Sequence, residues 1–353
     1  MSSPIDGNDS LSRGVWTAVL AALAFGASTP FVRRFGAETG AFFTASCLYA
    51  GAALGAISFG PRSSHEAPVE RRHWPRLAAV AIVGALVAPV SLAWGLQHSG
   101  AANASLLLNF EAVFTVAFSA LLYREHVGGR VAVALTLMLV AGTLLGWHAH
   151  ALGGAQLLGA CAIVLAAAGW ALDNTLTRPL SELDPTQVVR WKGLLGGGLG
   201  FGVALAVHES VGGFGALLGL VACGFAGYGL SLRLYLRAQR AIGAGRTGSI
   251  FALAPFIGAL VAWLLGDRTI GLATLGAGAL FLVALYLHLT ERHAHLHTHE
   301  ALEHEHAHRH DDGHHDHSHD PPVSGEHSHS HRHAALEHSH AHAPDAHHRH
   351  RHD

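Results

Sequence analysis

The sequence predicts an all-α polytopic membrane protein, with ten transmembrane helices arranged as two inverted five-helix repeats. Three observations carry this. Ten stretches of roughly twenty apolar residues fill Val15 to Leu289, each matching the ~20 residues that take an α-helix across the ~30 Å hydrocarbon core of a bilayer. Half of the residues are hydrophobic and only 13% are charged, well below the charged share of a water-soluble domain. Polar landmarks of the first half return in the second at an offset of 142–145 residues.

The expected helices, taken in order, are 15–33, 40–59, 76–98, 101–123 and 128–147, then 155–177, 186–207, 213–238, 246–265 and 270–289. The first follows a short segment (1–14) with Asp6 and Asp9 and no basic leader, so it serves as its own insertion signal. The second carries Gly51 and Gly55, and the third starts behind Arg71, Arg72 and Arg76 and contains Pro89. Asn103, Asn109 and Glu111 lie on the fourth, and the fifth starts after Gly128 and Gly129. The sixth ends with Trp170, Asp173 and Asn174. The seventh is the least apolar, with Arg190 and Lys192 near one end and a glycine-rich centre. On the eighth, Arg233, Arg237 and Arg240 make one basic face, the ninth contains Pro255, and the tenth is uniformly apolar. Gly51/Gly55, Gly198/Gly202 and Gly215/Gly219 are small-xxx-small pairs expected to let helices approach closely. Cys47, Cys161 and Cys223 sit in apolar stretches without paired or metal-type spacing, so they read as packing residues.

Short loops rich in Lys and Arg stay on the cytoplasmic side. With the N-terminus inside, that side receives twelve arginines, from Arg13 to Arg292, against Arg33, Arg34 and Arg268 outside. The sequence therefore places the protein in the cytoplasmic membrane with both termini cytoplasmic. Because each half has five helices, the halves (15–147 and 155–289) cross in opposite senses, a plan that builds secondary transporters with a midplane site.

"ASLLLNFEAVFTVAFSALLYRE" and "GSIFALAPFIGALVAWLLGDR" are the matched segments leading through the fourth and ninth helices. Together they resemble the paired signature of the EamA branch of the drug/metabolite transporter superfamily. The resemblance covers about residues 14–289 and implies alternating-access transport of small molecules. Two positions depart from the family pattern. Its Glu-Pro pair reads Glu111–Ala112 in the first half and Ala254–Pro255 in the second, and the acid closing the ninth helix is Asp267.

Glu111 stands halfway along a predicted span, where an ionised side chain costs roughly 2.5–3.5 kcal/mol on insertion scales. Such residues mark ion, proton or substrate paths, or else bond to a neighbouring helix and fix its rotation. Asn103, eight residues away, aligns with it, whereas Asn109 does not. Asp173, Asn174 and Trp170 form a second polar group, with Asp173 able to line a pocket or anchor to Arg178. Arg233 and Arg237 either attract anions at the inner mouth or snorkel to the interface. These eight residues are the candidate substrate or proton-coupling set.

From His293 the composition changes. Residues 293–353 hold 23 of the 31 histidines and 11 Asp and Glu against 4 Arg, whereas residues 1–292 hold 18 Lys and Arg against 13 acids. Imidazole suits Zn, Ni, Co and Cu. His293, His295, His297, His299, His304, His306, His308, His310, His314, His315, His317 and His319 are the candidate metal ligands of this tail. They show no fixed tetrahedral spacing, so exchangeable sites for Zn, Ni or Co are expected on a segment too polar to form a core, hence disordered without metal.

The reading that follows is a secondary active transporter of a small metabolite, drug-like solute or metal ion, embedded in lipid and working without a required cofactor. A homodimer is the candidate assembly. No nucleic-acid partner is expected, and no phosphate-binding loop is present. Gly248–Ser249 has no paired base, so catalysis is not expected. The competing reading is a membrane-anchored Zn, Ni or Co sensor or store without solute flux.

Overall fold

The computed structural model describes residues 6–58, 67–123, 128–180, 183–242, 244–267 and 270–289, and the backbone of 294–299, 302–308, 327–333 and 336–341. The helices are α1 (Asp6–Phe35), α2 (Ala41–Ser58), α3 (Arg71–His98), α4 (Ala101–Leu107 continued by Phe110–Tyr123), α5 (Gly129–Leu152), α6 (Gly154–Thr177), α7 (Pro185–Ala206), α8 (Phe214–Cys223 continued through Ser231–Ile242), α9 (Ala244–Phe251 continued by Ala254–Leu264) and α10 (Leu272–Leu289). Seven of these segments are long and apolar enough to cross a membrane, while α7 carries Arg190 and Lys192 and the apolar runs of α9 and α10 are shorter.

The outer surface fits lipid. Leu272 is 89% exposed and Phe214 82%, and Trp16, Leu121 and Trp147 are also exposed. In water, apolar area on this scale would drive association. Inside, alanine and glycine dominate, so helices meet backbone to backbone. Lipid offers no hydrophobic force between helices, and close van der Waals approach takes its place.

Helix neighbours follow a pattern. α2 lies along α7, and α5 lies along α10; α1 packs on α8 and α9, while α6 packs on α3 and α4; α4 also meets α9. The α2–α7 seam uses Gly193, Gly197 and Gly200, where an added Cβ would stand 2.8, 3.2 and 3.3 Å from α2 backbone atoms. The expected Gly198/Gly202 pair does not serve here, since nothing lies within 4 Å of either position. One residue along a helix is about 100° of rotation, which turns these two glycines outward. Gly215 also faces open space, while Gly51 and Gly219 are tightly packed.

Four interruptions shape the interior. α3 widens to a π-turn at Val83–Val87 and α8 at Gly224–Leu230. α4 breaks at 108–109 and α9 at 252–253. The two breaks share their bonding: Asn109 N–H donates to Leu106 O and Ala112 N–H to Asn109 O, both 3.1 Å; Leu253 N–H donates to Ile250 O and Phe256 N–H to Leu253 O, again 3.1 Å. Pro255 accounts for the second break, since it has no N–H to extend the helix. By this bonding the counterpart of Pro255 in the first half is Glu111, one residue before the Ala112 that the motif match sets against the proline.

One end of the bundle is tied shut by bonds between side chains and helix ends. Arg33 Nε donates to Leu96 O and Ser99 O at 3.2 and 3.1 Å, and Gln97 Nε2 donates to Gly36 O and Thr39 O, both 2.8 Å. Glu209 accepts from Phe42 N–H and Phe43 N–H at 3.2 and 2.8 Å, capping α2. A carboxylate there also meets the positive end of the helix dipole. Asp267 likewise accepts from Ala102 N–H at 3.2 Å near the start of α4.

Within the His-rich segment four short strands are described. Strands β1 (Ala294–His299) and β4 (Leu336–Ala341) pair antiparallel, as do β2 (Leu302–His308) and β3 (His327–His333). The physical reason is alternation, since His at every second residue has the two-residue period of a strand. Residues 293, 310, 314, 315, 317 and 319 of the candidate metal set lie outside the described residues.

At Gly224 an added Cβ would overlap the carbonyl of Leu48, so Gly224→Ala should lose about 1–3 kcal/mol through overpacking. Gly198→Ala, facing open space, should leave thermal stability in detergent unchanged. Equal melting temperatures for the two variants would contradict this packing.

Candidate functional site

Glu111, Asp173, Asn174, Lys192 and three tyrosines converge on one cavity between α1, α2, α4, α6, α7, α8 and α9. It encloses about 60 Å³, several times the space one water needs. Its walls are Phe25, Tyr49, Glu111, Trp170, Asp173, Asn174, Lys192, Gly227, Tyr228, Ser231, Leu232, Tyr235 and Phe251. The cavity sits toward the end of the bundle where α6 finishes and α7 begins, away from the end closed by Arg33, Gln97 and Glu209.

Lys192 is the single lysine of the sequence, and it is buried. Its ammonium forms an ion pair with Asp173 Oδ2, both side chains being under 5% exposed (3% and 4%). Thr177 Oγ1 donates to the other oxygen of Asp173 at 3.4 Å. Gly84 of the α3 π-turn makes room for this carboxyl group, which an added Cβ would overlap. Beside this pair, Asn174 Nδ2 donates to Glu111 Oε1 at 2.7 Å. Successive residues on α6 thus hold the ion pair and the second carboxyl group.

The π-turn also creates an acceptor. Ala88 N–H bonds to Val83 O, and residue 89 is proline, which has no N–H. Gly84 O therefore lacks both the i+4 and the i+5 donor of its own helix. Tyr49 OH and Trp170 Nε1–H take their place, the latter at 3.1 Å. Both rings are thereby fixed in the cavity wall. An unsatisfied carbonyl in hydrocarbon costs several kcal/mol, so this arrangement fixes three helices together.

Aromatic rings line the rest. Phe25 stands edge-on to Trp170 at 5.4 Å and to Tyr228 at 5.6 Å, and its ring lies 5.5 Å from that of Phe251. Tyr49 meets Tyr228 at 5.5 Å and Tyr235 meets Phe251 at 5.0 Å. The buried hydroxyl of Tyr228 has no hydrogen-bond partner among the described residues, leaving a donor for an occupant of the cavity.

Of the residues singled out from sequence, Glu111, Asp173, Asn174 and Trp170 lie together in this wall. Asn109 is buried elsewhere, its Nδ2 donating to Leu106 O at 2.9 Å across the α4 break. Asn103 accepts from Thr274 Oγ1 at 2.8 Å and joins α4 to α10. Neither lines the cavity, and nor do Arg233 and Arg237, the latter exposed. In the sequence Lys192 stood only beside Arg190 near one end of the seventh helix, and Tyr49, Tyr228 and Phe25 carried no distinguishing signal. Uniqueness was the available signal for Lys192. A chain that uses arginine at every other basic position places its one lysine where a compact ammonium is required.

Comparison with known proteins gives three findings. Residues 12–147 and 157–290 each match the EamA-like transporter family. An uncharacterized transporter of Methanothermobacter thermautotrophicus is 26% identical over 216 residues, 58% of this chain. The aligned region spans 61% of that relative's length. A crystal structure superposes with a TM-score of 0.57 at 19% identity, covering 79% of this chain and 96% of that one; this likeness concerns the fold.

Replacing Lys192 by Met should leave Asp173 buried without its cation, a loss of about 3–5 kcal/mol. Thermal melts in detergent should show a marked drop for Lys192→Met and recovery in the Lys192→Met/Asp173→Asn double variant. A wild-type melting temperature for the single variant would remove the ion pair from this account.

Proposed function

Because the chain belongs to the EamA-like transporter family, a family of multi-pass membrane transporters, we propose that it is a secondary transporter of small organic solutes with its binding site in the Glu111–Asp173–Lys192 cavity. The observation that carries this reading is the convergence of Glu111, Asp173 and Lys192, from three helices, on a space walled by aromatic rings.

The pattern of helix contacts supports ten crossings in two inverted halves. Exchanging α1–α5 for α6–α10 turns the α6 contacts with α3 and α4 into the α1 contacts with α8 and α9. It leaves the α2–α7, α5–α10 and α4–α9 contacts unchanged. The breaks in α4 and α9 and the π-turns in α3 and α8 exchange in the same way. A site between two such halves can open to either side as one rocks against the other. With the arginine-rich loops inside the cell, the end sealed by Arg33, Gln97 and Glu209 faces outward, and the cavity lies toward the cytoplasm.

Glu111 is the coupling acid in this reading. It occupies the helix break where the second half has Pro255, faces the cavity, and contacts only a neutral amide among the hydrogen bonds described. Its proton is shared with no hydrogen-bonded charge, and its carboxyl group feels the field of the Lys192–Asp173 pair in the same wall. That pair presents one charge of each sign to a solute, and Tyr228 adds a hydroxyl. An organic cargo is favoured over a metal ion, because among the described side chains of the membrane helices no group of three His, Cys, Asp or Glu could hold one. The His-rich segment adds metal capacity outside the membrane, and a sensor or store without flux remains the competing reading.

Proteoliposomes loaded with candidate solutes test this. Uptake or release driven by a pH gradient should fall at least tenfold in Glu111→Gln, while the variant keeps the wild-type elution profile and melting temperature. Unchanged gradient-driven flux in Glu111→Gln would remove the coupling role. Absence of flux for every solute in the wild-type protein, together with metal-dependent association, would favour the sensor.

A further inference from the structure

We propose that the His-rich segment is a metal ladder, in which antiparallel pairing sets histidines of one strand directly opposite histidines of another on a shared face. Across β2 and β3 the register places His304 opposite His331, His306 opposite His329, and His308 opposite His327. Across β1 and β4 it places His295 opposite His340 and His297 opposite His338. The inference stands apart from transport and concerns a site that includes His327, His329, His331, His338 and His340, beyond the twelve histidines named from the sequence.

Two independent features meet here. In each of the four segments His recurs at every second residue, so within a strand all of these histidines share one face. The register then aligns the His faces of both partners. A slip of one residue would set each histidine against a residue of the opposite face, such as Ser328, Ser330 or Arg332, and end every cross-strand His pair. The other face holds pairs of a different kind, Glu303 with Arg332, Glu305 with Ser330 and Ala307 with Ser328.

Residues directly opposite in an antiparallel pair have Cβ atoms about 4.5–5.5 Å apart, and the next pair on the same face lies about 6.6–6.8 Å along the strand. Opposite and adjacent rungs therefore bring several histidine positions within the span of one ion's coordination sphere. Borderline divalent ions, Zn, Ni, Co or Cu, match this donor set. An isolated two-stranded ribbon is marginal in water, and two protonated histidines facing each other repel. Metal supplies the missing cross-link, so ion binding and strand pairing form one equilibrium.

Full-length protein in detergent, stripped of metal and titrated with Zn²⁺ at pH 7.5, tests the ladder. Three variants are compared: His304→Gln/His306→Gln/His308→Gln, His327→Gln/His329→Gln/His331→Gln, and all six together. A fourth, His347→Gln/His348→Gln/His350→Gln, removes three imidazoles outside the ladder. The ladder requires either strand triple to abolish the same tightly bound zinc ions, each held at least tenfold more weakly, with no further loss in the sixfold variant and none in the fourth. Additive losses, or an equal loss in the fourth variant, would mean independent ligands on a structureless string, and the ladder would be wrong. So would unchanged zinc binding in both strand triples.

Discussion

An ammonium and a carboxylate inside a hydrocarbon layer persist as charges only against each other, and the interior of this protein is arranged to hold Lys192 and Asp173 in that relation. The pair needs α6 and α7 at fixed rotation, and it needs Gly84 on α3 so that the Asp173 carboxyl group has room. Once α3 carries its π-turn there, a backbone carbonyl is released that Tyr49 and Trp170 must satisfy. Those two bonds bring α2 into the same assembly. A single electrostatic requirement thus propagates into the positions of four helices.

The interruptions of α4 and α9 have different chemical causes and the same geometry. In α9 a proline withholds its N–H. In α4 no proline is present, yet Asn109 turns its side-chain amide to Leu106 O and the following turn tightens to i→i+3 bonds. A polar side chain stands in for what the proline ring does in the other half. Glu111 occupies the proline's place, so a carboxyl group sits where the helix is already open. Broken helices at membrane depth are tolerated only where protein or a cavity satisfies their backbone; the α4 break at Leu108 and Asn109 is buried, whereas Leu253 of the α9 break is exposed.

Helix positions were legible in the sequence because a long apolar run in lipid satisfies its backbone by coiling into an α-helix. The expected spans differ from the observed helices by a few residues at most ends. Glu111, Asp173, Asn174 and Trp170 were legible because polar atoms in apolar stretches are few. What the sequence could not supply was rotation. Gly198 and Gly202 have the right spacing, but one residue's difference from Gly197 turns them away from α2. Asn103 and Glu111 share a face in a continuous helix, but the break at 108–109 separates their roles. Arg233 and Arg237 lie on a helix whose π-turn shifts the register of everything after Gly224. Lys192 stood beside Arg190 in sequence, and only the packing of α7 against α2 and α3 distinguishes the inward cation from its neighbour.

A protein with one lysine offers, beyond its α-amino group, a single primary amine to the solvent, and here that amine is enclosed. Amine-directed reagents therefore have no side-chain amine to modify on the outer surface of the molecule. Any such adduct on a side chain reports that water, and a reagent with it, has reached the cavity. The same scarcity turns the ammonium of Lys192 into a spectroscopically unique handle, a built-in gauge of how often the interior is wetted.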